Sequence, residues 1–228
     1  MPEAVPTYRA EQVRAAEQPL LAAGEPLMRR AAAALAAIVR EQLADAVTPR
    51  VLVLVGSGDN GGDALFAAAD LRGAAEVDLL LVSERFHRQA LDAAVAAGAR
   101  RIDLPTARDA ASDYAVVVDG ILGIGSSASS ALRGVAREVV ESLLPAVRGG
   151  RPRAVAVDLP SGLHPDTGEA DDVVLPASVT VTFGAVKAGC ARARGPALCG
   201  RVVLIDLGLQ LNGADAVGTA PVDRVVNG

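Results

Sequence analysis

The sequence predicts an α/β fold with a mostly parallel sheet sandwiched between helices, and three observations carry that expectation. Short apolar runs rich in valine, isoleucine and leucine recur six times beyond residue 50, the pattern of strands buried on both faces. Amphipathic stretches lie between them, and alternation of strand with helix implies parallel pairing through crossover helices. Several runs end in glycine-rich or polar segments, at the carboxyl strand ends where open α/β sheets bind ligands. With 228 residues, no linker and no repeat, a single domain over residues 1–228 is expected.

Residues 1–50 read as a helical cover. Val13, Ala16 and Leu20 recur at helix spacing, Gly24 and Pro26 interrupt, and Met28, Ala31, Leu35, Ile38 and Leu43 resume the stripe. Their near-lack of clustered polar groups favours packing over catalysis. Residues 51–55 form the first buried strand and lead through a glycine-rich turn to a helix expected near Gly62. Further strands are expected at 77–82, 114–118, 154–157, 179–182 and 202–205. Helices are expected over about 85–97 and 131–147, the second with Ser129 or Ser130 as N-cap. Residues 211–228 are a polar tail without a period, read as a link to something beyond the domain.

Composition narrows the function. Hydrophobic residues make up 51% of the chain, yet no apolar run approaches the roughly 20 residues of a membrane span, and no basic-then-apolar leader is visible. Membrane partners are not expected. Two cysteines, Cys190 and Cys199, are too few for a disulfide framework, which suits the cytoplasm. A net charge of -5 argues against nucleic acid, and 2% aromatic residues leave no platform for stacking bases. Lys187 is the only lysine in an arginine-rich chain, an isolation that singles it out.

Four strand ends carry candidate chemistry. The first, Gly56-Ser57-Gly58-Asp59-Asn60-Gly61-Gly62-Asp63, contains a G-x-G-x-x-G match between strand and helix, and Glu84 follows at a distance suited to a ribose-binding acid. Asp59 and Asp63 oppose that reading, because both would repel a pyrophosphate at the helix N-terminus. The second, from Asp119 through Gly123, Ile124 and Gly125 to Ser127, offers backbone N–H groups for phosphate. In the third, Asp158 follows an apolar strand and precedes Pro160-Ser161-Gly162, the place of a general base. The fourth runs from Thr180 to Gly189 and holds Lys187. A parallel sheet gathers these loops, so Asn60, Asp119 and Ser161 bring amide, carboxylate and hydroxyl oxygens together, a set suited to a hard cation. His87 and His164 have no partner at ligand spacing and read as filler.

GSGDNGGDA at 56–64, VDGILGIG at 118–125, VDLPSGLHPDTGE at 157–169 and VTFGAVKAG at 181–189 together resemble the NAD(P)H-hydrate epimerase family, also called the YjeF N-terminal domain. The resemblance covers nearly the whole chain, including Leu27-Met28. It implies a Rossmann-like three-layer αβα sandwich, a homodimer, and interconversion of the R and S epimers of hydrated NADH and NADPH (NADHX and NADPHX). These damaged nucleotides carry a hydroxyl at nicotinamide C6. By resemblance, Asn60, Asp119 and Ser161 ligate one potassium ion per subunit. Asp59, Asn60, Gly61, Gly62 and Asp63 contact substrate, and the loop of Gly123, Ile124, Gly125, Ser126, Ser127, Ala128 and Ser129 holds its phosphates. Asp158 contacts the hydrated ring and acts in catalysis, either by loss and return of the hydroxyl or by ring opening and closing. An NAD(P)HX dehydratase, fused in many relatives, is the implied functional partner.

Departures from the family pattern are Asp59 in place of Asn, Ala64 in place of Gly and Gly120 in place of Ala. The Gly123 loop also lacks a basic residue, which leaves Lys187 as the nearest expected positive charge. A silent binding or scaffold module on the same fold is the alternative, opposed by the presence of Asn60, Asp119, Asp158 and Ser161. A hydride-transferring dehydrogenase is the third reading, resting on the G-x-G-x-x-G match alone.

Overall fold

The computed structural model describes residues 3–125 and 130–228. The chain opens with β1 (Glu3–Tyr8), α1 (Ala10–Ala22) and α2 (Leu27–Gln42). An alternating stretch follows: β2 (Arg50–Val55), α3 (Asp59–Asp70), β3 (Glu76–Leu81), α4 (Arg88–Ala96), β4 (Arg100–Arg101) and α5 (Leu104–Asp109). It continues through β5 (Val116–Gly120), α6 (Gly134–Arg148) and β6 (Arg153–Val157). The last part holds β7 (Val179–Phe183), β8 (Val186–Lys187), α7 (Gly195–Leu198), β9 (Arg201–Asp206), β10 (Gly218–Val222) and β11 (Arg224–Asn227).

Eight strands form one sheet in the order β11-β9-β7-β6-β5-β2-β3-β4, and every neighbouring pair is parallel. Side-chain alternation divides each strand between two cores. Val51, Val53 and Val55 of β2 pack with α2, α3 and α4 on one face. Leu52 and Leu54 pack with α6 and Ala107 of α5 on the other. Both faces are therefore apolar, which is why the strands read as unbroken hydrophobic runs. The result is the expected three-layer αβα arrangement.

A second sheet corrects two expectations about the chain ends. It has the order β10-β1-β8, with β1 antiparallel to β10 and parallel to β8. Residues 3–8 are thus a strand, not part of a helical cover. The tail is ordered as well: β10 lies beside β1, and β11 extends the large sheet beside β9. These strands find their pairing partners far away in sequence or on the sheet rim, so no local period announces them.

Helix starts also shift. The first helix after β2 begins at Asp59, ahead of Gly62. Helix α6 begins at Gly134 with Arg133 in the N-cap position and no side-chain cap. Ser130 therefore lies outside that helix, and Ser129 lies outside the described residues. The break at Gly24 stands, with φ at +81° between α1 and α2. His87 caps α4, its Nδ1 accepting the Ala90 N–H at 3.1 Å, a structural use of the side chain.

Candidate active site

The loops beyond β2, β5, β6 and β7 open on a cavity of about 700 Å³, a size typical of small-molecule sites. Asp59, Asn60 and Asp63 reach it from the first turns of α3, and Leu122 to Gly125 from the loop after β5. Asp158, Phe183 and Lys187 also line it. The N-terminal helices are more than a cover: Arg14 and Glu17 of α1, with Leu27 and Met28 of α2, close a further wall.

Asp158 has a φ of 68°, a left-handed conformation that a non-glycine residue holds only when its surroundings fix it. Those surroundings are visible. Its N–H donates to the Val181 carbonyl at 2.8 Å. Its Oδ1 accepts from the Thr182 hydroxyl at 3.1 Å, from the Phe183 N–H at 3.2 Å, and from Lys187 Nζ. Lys187, 1% exposed, also donates to the Phe183 carbonyl at 2.9 Å. Gly184, at φ +69°, turns the chain sharply after β7 and carries β8 back so that Lys187 meets Asp158. The lone lysine is thus the buried counter-ion of the candidate catalytic acid.

Asp63 is placed differently. It is 6% exposed, and its Oδ1 is buried without a hydrogen-bond partner among the described residues. Burial pushes this carboxyl well above its ordinary range, and the charges of Asp158, Asp59 and Glu17 push it further. Glu17 is also raised, chiefly by burial and against the opposing pull of Lys187.

Asn60, Asp119 and Ser161 do converge, just behind the cavity wall and around Leu122. The Asn60 amide donates to the carbonyls of Leu122 at 3.1 Å and Val157 at 2.5 Å. Ser161 Oγ accepts the Leu122 N–H at 2.9 Å, and Asp119 Oδ2 accepts the Ser161 N–H at 2.8 Å. Gly123 passes so close that a Cβ there would sit 2.4 Å from Asn60 Oδ1, so glycine is required. Asp119 is buried, and its carboxyl is pushed up by desolvation that hydrogen bonds from Ser161 and Ile121 only partly offset. A buried carboxyl served by neutral donors, among amide and hydroxyl oxygens, fits a hard cation.

Of the other expected contacts, Gly61 packs on the Gly56 carbonyl and Gly62 on Met28, below the cavity. Ser126, Ser127, Ala128 and Ser129 lie outside the described residues. Glu84 is exposed in the loop after β3 and does not belong to the cavity wall, so the dinucleotide fingerprint lacks its ribose-binding acid there. Sequence reasoning missed Arg14, Glu17 and Arg133 in the wall. The first two sit on an amphipathic helix distant in sequence from the glycine loops, and no local signal marks them.

The chain matches the family model described as YjeF-related protein N-terminus over residues 24–189. It is 60% identical over 227 residues to a Microbacterium testaceum protein named NAD(P)H-hydrate epimerase, covering 98% of this chain and 87% of that protein. A Clavibacter sepedonicus protein of the same name is 52% identical, covering 93% and 95%. A Mycobacterium tuberculosis protein named bifunctional NAD(P)H-hydrate repair enzyme Nnr is 43% identical; the match covers 95% of this chain and 44% of that protein. Among solved structures, yeast ynu0 (YNL200c) superposes with a TM-score of 0.72 at 20% identity, covering 85% of this chain and 86% of that one. This last likeness concerns the fold.

Proposed function

The chain belongs to the YjeF-related N-terminal family, and from that premise we propose that it is an NAD(P)H-hydrate epimerase interconverting the R and S forms of NADHX and NADPHX. The observation that carries the reading is the buried Asp158–Lys187 pair on the wall of the cavity, in a chain so similar to proteins named for that activity. A carboxylate fixed by three donors is a group ready to exchange a proton with a ring hydroxyl without first reorganising. Asp158 is the catalytic residue of this reading, and Asp59, Asn60 and Asp63 bind substrate around it.

The adenylate and phosphate end of the substrate lies against the loop from Gly123 to Ser129 and the N-terminus of α6, whose dipole favours anions. Arg133 and Arg14, both in the cavity wall, supply positive charge there. Asn60, Asp119 and Ser161 hold a potassium ion, one per subunit, which when bound adds fixed positive charge beside the substrate loop. Leu27 and Met28 cover the ring from the α2 side and exclude water.

A homodimer is the working assembly, and an NAD(P)HX dehydratase consuming one epimer is the functional partner. Among the described residues no helix is long and apolar enough to cross a membrane. Cys190 and Cys199 are both free thiols, and the cytoplasm is the proposed compartment.

The test mixes the protein with R-NADHX, an S-specific dehydratase and its nucleotide in potassium buffer. Clearance of the R epimer faster than the no-protein control supports the function. Clearance at the control rate with folded protein rejects it in favour of a binding module.

A further inference from the structure

Moving a hydroxyl from one face of C6 to the other requires two proton transfers, one to the departing oxygen and one from the arriving water. A single carboxylate locked to a lysine supplies only the second. The cavity contains another carboxyl of the opposite kind. Asp63, from α3, is more than nine-tenths buried, and its Oδ1 has no hydrogen-bond partner among the described residues although the residue lines the cavity.

Resting on the epimerase reading above, we propose that Asp63 is the proton donor of the reaction and works as a pair with Asp158. Four charged groups from the surrounding elements act on it: Glu17 from α1, Asp59 from its own helix, Asp158 from the loop after β6, and Lys187 from β8. Three of these are acids, and they favour a protonated Asp63 with burial acting in the same direction. Lys187 opposes them, but its ammonium is engaged by Asp158. The two carboxyls thus sit in unlike surroundings: Asp158 accepts from Lys187, Thr182 and the Phe183 N–H, whereas burial and neighbouring acids favour the protonated form of Asp63, a division of environments by which one site performs acid and base chemistry at the same pH.

The step balances without a redox partner. The Asp63 carboxylic acid protonates the C6 hydroxyl; the C6–O bond breaks as the lone pair of the adjacent ring nitrogen forms a nitrogen–carbon double bond, and water leaves. A water then adds to the other face of C6, its lone pair forming the new C6–O bond while the π pair returns to nitrogen. Its proton passes to the Asp158 carboxylate. Lys187 keeps its protons throughout. Exchange with solvent past the exposed Asp59 then takes the proton from Asp158 and returns one to Asp63, which restores both groups for the next turnover.

The experiment compares wild type with Asp63→Asn, which keeps the shape of the acid but has no acidic proton. Turnover of R-NADHX is expected to fall about 10²-fold, the usual contribution of a positioned general acid, with a smaller change in KM because the Asn amide keeps a polar contact to substrate. The wild type is expected to lose kcat/KM on the alkaline side as Asp63 ionises, and Asp63→Asn to lack that limb. In parallel, carbon-13 titration of the aspartates should find, besides the buried Asp119 carboxyl, a second one titrating well above the ordinary aspartate range in the wild type and absent from the variant. Full turnover by folded Asp63→Asn, or a variant that keeps the alkaline limb, overturns the proposal. Should the variant not fold, the wild-type titration decides: no aspartate beyond Asp119 titrating above the ordinary range refutes it. A wild-type chain without epimerase activity refutes instead the reading on which it rests.

Discussion

Two buried acidic centres sit at opposite ends of the same parallel sheet, and they are treated differently. At the amino end, Asp78 of β3 is 2% exposed and fully answered. Arg50 reaches its Oδ2 at 3.1 Å, Arg100 its Oδ1 at 3.0 Å, and the Tyr114 hydroxyl donates to Oδ2 at 2.9 Å. Burial, with help from Asp78, pushes the Tyr114 phenol up, so it remains a donor. At the carboxyl end, Asp63 has an orphaned oxygen, Asp119 is answered by neutral donors, and Asp158 is held in a left-handed backbone. A buried carboxylate that is completely paired ties a structure together even where Arg50 Nε beside it lacks a hydrogen-bond partner among the described residues, whereas a buried carboxylate left unfinished in a cavity wall marks where a ligand completes it.

This contrast is open to direct attack. The largest effect is expected from Lys187→Met, which leaves the Asp158 carboxylate buried without its counter-ion. Removing one partner of a buried pair costs about 3–5 kcal/mol, so chemical denaturation should show a deeply destabilised chain with epimerisation lost. A midpoint near that of wild type would show that the pair is dispensable. At the other end, Asp78→Ala strands Arg50 and Tyr114 and is expected to cost about 3 kcal/mol. Activity per folded molecule should be unchanged, and a specific loss of turnover would break the distinction between the ends.

How far the two ends are legible in sequence differs for physical reasons. Strands β2, β5 and β7 are visible because both faces are buried, which writes a continuous apolar run into the chain. Asp158 is visible because an acid follows such a run directly. Its tie to Lys187 is not, since it depends on the turn at Gly184 and on β8 pairing with β1. The orphaning of Asp63 is equally hidden, because α1 and α2 create its desolvation from residues remote in sequence. β1, β10 and β11 escaped notice since β1 and β10 pair with each other from opposite ends of the chain and β11 joins the rim of the large sheet.

Smaller effects sharpen the same contrast. Potassium should raise the melting temperature relative to a large organic cation, by about 2.7 kcal/mol of stabilisation when it is a hundredfold above its Kd. Asp119→Asn should abolish that response, and an equal gain in both salts and both proteins would reject the cation site. The raised Asp63 carboxyl gives stability a definite pH slope. Its folded form holds the proton more tightly than the unfolded chain, so the contribution is complete below about pH 4, the unfolded value. It is lost as pH rises through the folded value. Asp63→Asn should flatten that decline in denaturation midpoints measured from pH 5 to 9. The smallest effect belongs to the surface: Arg137→Ala removes half-exposed pairs with Glu141 and Asp171 and should shift stability by less than about 1 kcal/mol.

The most direct measurement sets Asp158→Asn beside Asp78→Asn in the coupled assay for R-NADHX clearance, with folded protein verified by circular dichroism. The account predicts that Asp158→Asn clears the R epimer no faster than the protein-free control, while Asp78→Asn matches wild type per folded molecule. Clearance by Asp158→Asn at the wild-type rate would contradict it, and so would equal losses in both variants.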